Sequence, residues 1–287
     1  MTLFLRRFVL FFCFCSLLTG CGSPVPEASV PDSSTLETSE AFTTVAETTI
    51  AATIPPEVTV FTEPKAPVPP ETQTTDPNMP VLVAPSASEG TCHFFDDAAI
   101  MGDSISYSLM VHNGKTKDLG SATFLVRGSL GIHNTLNGQL TLSYKGSAMT
   151  PWDALAACGA KKVFIMMGTN DIGYYSIEET MTLWKTFLEN IRTVSPEMDI
   201  YILSLTPMWK GGQQQLLNNA TIDTYNAQLE IFAQDNGCHF VNIAPYFKDQ
   251  DNSLAYNYCG DMYVHMNEEG TAAWANLLKA YAEGLLQ

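Results

Sequence analysis

The chain has 287 residues, with 14 basic against 30 acidic side chains and a formal net charge of −16. So acidic a chain repels polyanions, which argues against nucleic acid or anionic lipid as a substrate. No two of its five histidines show metal-ligand spacing, so no catalytic metal is expected.

Taken in order, the chain opens on Arg6 and Arg7, followed by an apolar run from Phe8 to Leu18 and the small-residue close Thr19-Gly20-Cys21. This is the pattern of a secretory signal, and the run is too short for an ordinary membrane span. Leu18-Thr19-Gly20-Cys21 resembles the lipobox of bacterial lipoproteins. That resemblance implies cleavage before Cys21 and a diacylglyceryl group on its thiol, enough for stable anchoring at the outer face of a bacterial membrane. The alternative is a secreted protein whose cysteine merely lies near the cleavage site. Residues 1–20 are therefore read as signal peptide.

Residues 21–90 are read as a lipidated cysteine followed by a tether. Positions 22–90 hold twelve of the sixteen prolines, are dense in Thr, Ser and Glu, and carry ten acidic residues against Lys65 alone. Such a stretch buries too little surface to offset chain entropy, so disorder is expected. Self-repulsion and proline stiffness would extend it away from the membrane.

From Thr91 to Gln287 the composition becomes that of one globular domain in which strands and helices alternate. A first strand ends in Ala98-Ala99-Ile100-Met101-Gly102-Asp103-Ser104. Ala122–Val126 is a second, running into Arg127-Gly128-Ser129-Leu130-Gly131, and Val163–Met167 a third, closing on Gly168-Thr169-Asn170-Asp171. Ser176 and Glu179 form a capping box for a helix with apolar positions Ile177, Met181, Trp184, Leu188 and Ile191. Asp199–Leu205 is a fourth strand, Thr221–Asp235 a helix stopped by Asn236-Gly237, and His239–Ile243 a fifth strand. The last helix starts near Asn267. Buried strands alternating with helices imply a mostly parallel sheet covered on both faces, with every strand's carboxyl end on one edge.

That edge collects Ser104, Gly131 and Asn170, and a loop with Asp261 and His265 precedes the final helix. Hydrolytic acyl transfer needs a nucleophile, a base, a group that orients the base, and donors for an oxyanion. This set could supply all four. In this order the residues resemble the SGNH hydrolases, or GDSL-type esterases and lipases. The resemblance implies a flavodoxin-like three-layer α/β/α sandwich with a mostly parallel five-stranded sheet, and hydrolysis of acyl esters without metal or organic cofactor. Carried over, Ser104 is the nucleophile and His265 the base. The oxyanion donors are the Ser104 N–H, the Gly131 N–H and the Asn170 amide. Asp261 would orient His265, although it stands four residues before the histidine where the family places its acid three before. A Ser–His pair assisted by a backbone carbonyl stays open, as does Gly128 in place of Gly131. The lack of a second glycine in Gly102-x-Ser104-x-Ser106 disfavours the Gly-x-Ser-x-Gly elbow of ordinary α/β-hydrolases.

Tyr174, Tyr175, Trp209 and Tyr263 cluster just past strand ends or beside His265, and Tyr174, Trp209 and Tyr263 are candidates to line a substrate site, as sugar platforms or as ordinary loop hydrophobes. His133 could line the same pocket or be a plain loop histidine. Cys92, Cys158, Cys238 and Cys259 could be disulfide-bonded or free. The reading is a lipid-anchored cell-surface esterase acting on an acylated glycan. A lipase or lysophospholipase, and an inactive glycan-binding module, are the alternatives.

Overall fold

The computed structural model describes residues 72–286. The expected signal, Cys21 and most of the tether lie outside the described residues. The first described elements are β1 (Thr72–Gln73) and β2 (Leu82–Val83), a short antiparallel hairpin. Both strands fall within the stretch expected as tether. Residues 72–90 lie against the domain: Val81 N donates to Lys248 O at 2.8 Å, and Lys279 Nζ donates to Gly90 O at 2.7 Å. The Asn276 side chain accepts from Ala87 N at 3.0 Å and donates to Pro85 O at 2.9 Å. A proline-rich segment needs no core of its own where a neighbouring helix satisfies its backbone groups.

The chain then enters β3 (Ala98–Gly102), all five residues of which are buried, and turns into α1 (Ser104–Thr116). β4 (Thr123–Val126) leads to the short α2 (Ile132–Leu136). A hairpin of β5 (Leu142–Tyr144) and β6 (Ser147–Met149) precedes α3 (Pro151–Cys158) and β7 (Lys162–Met166). After them come α4 (Ile177–Val194), β8 (Asp199–Leu203), α5 (Asn219–Asp235), β9 (His239–Val241) and α6 (Glu268–Ala282). The central sheet runs β4-β3-β7-β8-β9 with every pair parallel. Helices cover it, α1 against α6 and α3, α4 and α5 side by side. The result is a flavodoxin-like α/β/α sandwich.

Local sequence explains the helix starts. Ser176 Oγ accepts from Glu179 N, and Glu179 Oε2 accepts from Ser176 N at 2.8 Å, the predicted capping box of α4. Trp184, Phe187, Leu188 and Ile191 are the buried stripe of that helix. α3 had no expected counterpart, yet it carries ordinary signals: Thr150 as N-cap, Pro151 in the first turn, and Gly159 at φ +71° as its stop. The fourth strand ends two residues earlier than expected because Ser204 Oγ accepts from Ile243 N and Ala244 N, each at 2.9 Å.

Register is what builds the site. Gly102 pairs with Val126 on one side and Met166 on the other, so β3, β4 and β7 end level. The loops that follow therefore open at one place on the carboxyl edge of the sheet, where ligands of open α/β sheets bind.

Candidate active site

Ser104 is the first residue of α1, immediately past the end of β3. Two features make that turn tight. A Cβ at residue 102 would lie 2.1 Å from Ser106 Oγ and 2.7 Å from Met166 O, so only glycine lets the strand pass. Asp103 is the N-cap of α1, its Oδ1 accepting from Ile105 N at 2.9 Å. Ser104 stays half-buried, and as the first helical residue its N–H has no intrahelical partner.

His265 reaches it from the loop before α6. His265 Nε2 lies 2.9 Å from Ser104 Oγ, and His265 Nδ1 lies 2.5 Å from Asp261 Oδ2. Burial pushes the Asp261 carboxyl up, but hydrogen bonds from the His265 side chain and from His265 and Tyr263 N–H outweigh it, and the net shift is downward. An ionised Asp261 can only accept, so Nδ1 carries the proton and Nε2 is free to accept from the serine hydroxyl. The spacing of four is absorbed at Met262, whose φ of +57° folds the loop back on itself. Asp261 Oδ1 fastens that fold, accepting from Tyr263 N at 2.8 Å and His265 N at 3.1 Å.

Gly131 and Asn170 meet on the other side of Asp103. Gly131 is the N-cap of α2, and its N–H donates to Asn134 Oδ1 at 2.9 Å, while Asn134 Nδ2 donates to Ser129 O at 2.8 Å. Asn170 Nδ2 donates to Asp103 Oδ2 at 2.9 Å and to Leu130 O at 3.1 Å. Both expected donors are thus close to Ser104 in the fold and hold internal acceptors. Gly128, the other glycine of this loop, has nothing within 4 Å of where a Cβ would stand. Burial raises the Asp103 carboxyl from 3.8 to about 6, against the lowering effects of the Ile105 N–H and of His265.

The residue after Asn170 ties these loops together. Asp171 is fully buried, with Oδ2 accepting from Ile132 N at 3.0 Å and Oδ1 from His133 N at 2.9 Å. His133 Nδ1 lies 2.7 Å from the same Oδ1. At Gly168 the turn needs φ +133°, and a Cβ there would meet the Tyr225 hydroxyl at 2.2 Å. That hydroxyl donates to Met167 O at 2.9 Å and accepts from Trp184 Nε1 at 2.6 Å, which pins the end of β7.

Of the candidate lining residues, Tyr174 is 80% exposed and stands with Tyr175 against the His133 ring, at 6.1 and 5.2 Å between centroids. Trp209 N donates to Tyr263 O at 2.7 Å, which joins the loop after β8 to the His265 loop, and the Trp209 ring packs on Tyr256. The Tyr263 hydroxyl accepts from Gln214 Nε2 at 3.1 Å. The remaining histidines stand beside local acids, His93 with Asp96, His112 with Asp118 and His239 with Asp199. Cys92, Cys158, Cys238 and Cys259 are free thiols. No metal-binding cluster occurs among the described residues. Sequence reasoning missed Asn134 and the His133–Asp171 pair. The only sequence signal for Asn134 was an amide three residues after a helix-opening glycine.

The sheet order, with a serine at the head of the first helix and a histidine–carboxylate pair beside it, brings a hydroxyl, an imidazole and a carboxylate into one hydrogen-bonded series at the carboxyl edge. The chain is a member of the GDSL-like lipase/acylhydrolase family, whose model matches residues 100–273, and is a carboxylic ester hydrolase. None of the curated proteins matches it by sequence. A GDSL-like lipase from Bacteroides thetaiotaomicron shares the fold at a TM-score of 0.53 and 17% identity, over 69% of this chain and 93% of that one. A Bacteroides fragilis protein assigned as an acylhydrolase does so at 0.54 and 17% identity, over 69% and 92%.

Proposed function

We propose that this chain is a cell-surface serine esterase that removes short acyl groups, acetate foremost, from carbohydrate. The observation that carries the chemistry is the 2.9 Å approach of His265 Nε2 to Ser104 Oγ, with Asp261 behind the ring. In this reading Ser104 Oγ attacks the ester carbonyl as its proton passes to His265 Nε2, and Asp261 stabilises the imidazolium. The proton then goes to the departing alkoxide, leaving an acyl-Ser104. Water, deprotonated by His265, attacks that ester and releases the acid.

The oxyanion is taken up by the Ser104 N–H, the Gly131 N–H and the Asn170 amide. A developing negative oxygen is a stronger acceptor than the neutral carbonyl oxygens of Asn134 and Leu130, since charge-assisted hydrogen bonds are about twice as strong as neutral ones, while the other Asn170 N–H stays on Asp103 Oδ2 and holds the amide in place. These donors therefore favour the transition state over the bound ester, which is the condition for raising turnover. Anchoring through Cys21 fits a protein that works on surface polymers, and the exposed Tyr174 offers a ring face at the rim.

The test is hydrolysis of p-nitrophenyl esters from acetate to decanoate by the full chain and by Ser104→Ala. The reading expects a rate that is highest for acetate and lost in the variant. A second reading rests on a groove of about 560 Å³ between α1 and α6, lined by Ser108, Val111, Met266 and Ala272 and opening one helical turn from Ser104. It would seat a long acyl chain. A rate that climbs towards decanoate favours this lipase reading, and equal inertness of both proteins favours a glycan-binding module.

A further inference from the structure

The His133–Asp171 pair lies outside the acyl-transfer machinery, yet it is built with more care than a loop histidine needs. Asp171 receives the Ile132 and His133 backbone N–H groups, and His133 Nδ1 lies 2.7 Å from its Oδ1. That contact fixes the orientation of the ring, with Nδ1 turned to the carboxylate and Nε2 on the other side of the ring. The Asp171 side chain is fully buried, whereas that of His133 is 18% exposed. With Nδ1 turned to the buried carboxylate, Nε2 lies on the ring edge away from it. No hydrogen-bond partner for Nε2 occurs among the described residues.

Around that edge stand Tyr174, almost wholly exposed, and Tyr175, partly so. Two residues before His133 is Gly131, and one before Asp171 is Asn170, both proposed oxyanion donors. A nitrogen on an oriented ring beside two aromatic rings, two residues from one proposed oxyanion donor, suits a ligand with a hydroxyl donor and an apolar ring face. A pyranose has both.

We infer that His133, Tyr174 and Tyr175 form a sugar subsite in which Nε2 accepts a hydrogen bond from a free hydroxyl neighbouring the acylated carbon. This rests on the carbohydrate reading of the proposed function and specifies how the sugar is recognised. His133 acts on specificity: it reads a donor through Nε2 and takes no part in the acyl-transfer protons.

The experiment compares kcat/KM for three esters with the full chain: a methyl xylopyranoside monoacetate with a free adjacent hydroxyl, the same compound with that hydroxyl O-methylated, and p-nitrophenyl acetate. His133→Asn keeps a donor for Asp171 near the Nδ1 position and removes Nε2, and His133→Gln keeps a polar atom near Nε2. One neutral hydrogen bond corresponds to roughly tenfold. His133→Asn should therefore lower the ratio of monoacetate to p-nitrophenyl acetate about tenfold, mainly through KM, and abolish discrimination against the O-methyl ester. His133→Gln should restore part of the ratio. A merely structural role would lower all three esters together and leave the ratio where it was, which overturns the inference. Wild type that hydrolyses p-nitrophenyl acetate but does not distinguish hydroxyl from O-methyl overturns it while leaving the esterase standing. Wild type inert on every ester removes the proposed function itself.

Discussion

The domain contains two histidine–carboxylate pairs at one edge of the sheet, and their surroundings separate their work. In Asp261–His265 the side chains are 36% and 39% exposed, and the ring reaches a hydroxyl. In Asp171–His133 the carboxylate is fully buried and gathers two backbone N–H groups along with the ring. The first pair faces a hydroxyl, from which the proposed mechanism takes a proton. The second holds two loops in place and leaves one nitrogen facing outward. The same pairing of groups is thus proposed for catalysis in one place and ties loops together in the other, according to what else the carboxylate must satisfy.

Exchanging each acid for its amide would sharpen that contrast. Asp261→Asn should cost about 10³–10⁴-fold in kcat, because an amide can hold His265 in the wrong tautomer, with thermal unfolding little changed. Equal activity would show that a backbone carbonyl suffices behind His265. Asn170→Ala should follow at about 10²–10³-fold in turnover, the usual cost of one oxyanion donor. Wild-type kcat in that variant would remove Asn170 from the site.

Asp171→Asn should act first on stability. Its NH2 group would face a backbone donor, and a buried donor without an acceptor costs about 1–3 kcal/mol, read as a lower denaturation midpoint. Activity should then fall only as far as the loop from Gly131 to Asn134 loosens. A variant as stable as wild type would show that the buried carboxylate does not hold the loops.

A further effect, read on stability against pH, concerns Asp103. Its folded pKa, about 6, lies above the ordinary 3.8 because burial disfavours the charged form. Between those values the folded chain binds more protons than the unfolded one, so this group's contribution is complete below pH 3.8 and is lost as pH rises through 6. Two units correspond to roughly 3 kcal/mol. Asp261 has the opposite sign, its lowered pKa giving stability above 3.8 that is lost in acid. Denaturation midpoints from pH 4 to 7 in wild type and Asp103→Asn should show a decline with pH that the variant lacks.

Legibility from sequence followed the range of the interactions. Asp261 and His265 stand four residues apart and meet across the Met262 turn, and Ser104 is marked by its own Gly102-Asp103 turn; the meeting of Ser104 with His265, 161 residues on, is made by the fold. Strand alternation and the Ser176 capping box are likewise local. The tie from Asp171 to Ile132 and His133 spans nearly forty residues and depends on β4 and β7 ending level on either side of β3, which no short pattern encodes. The docking of residues 72–90 was hidden for a similar reason: their composition is that of a linker, and the groups that hold them, Asn276 and Lys279, belong to the last helix.

The central claim is that Ser104 is a nucleophile activated by His265. Its most direct test is labelling of the full chain with a fluorophosphonate, followed by peptide mass spectrometry. The account predicts one phosphonyl adduct, on the peptide containing Ser104, absent from Ser104→Ala and strongly reduced in His265→Ala. An adduct on another residue, or a folded wild-type chain that takes up none, would contradict it.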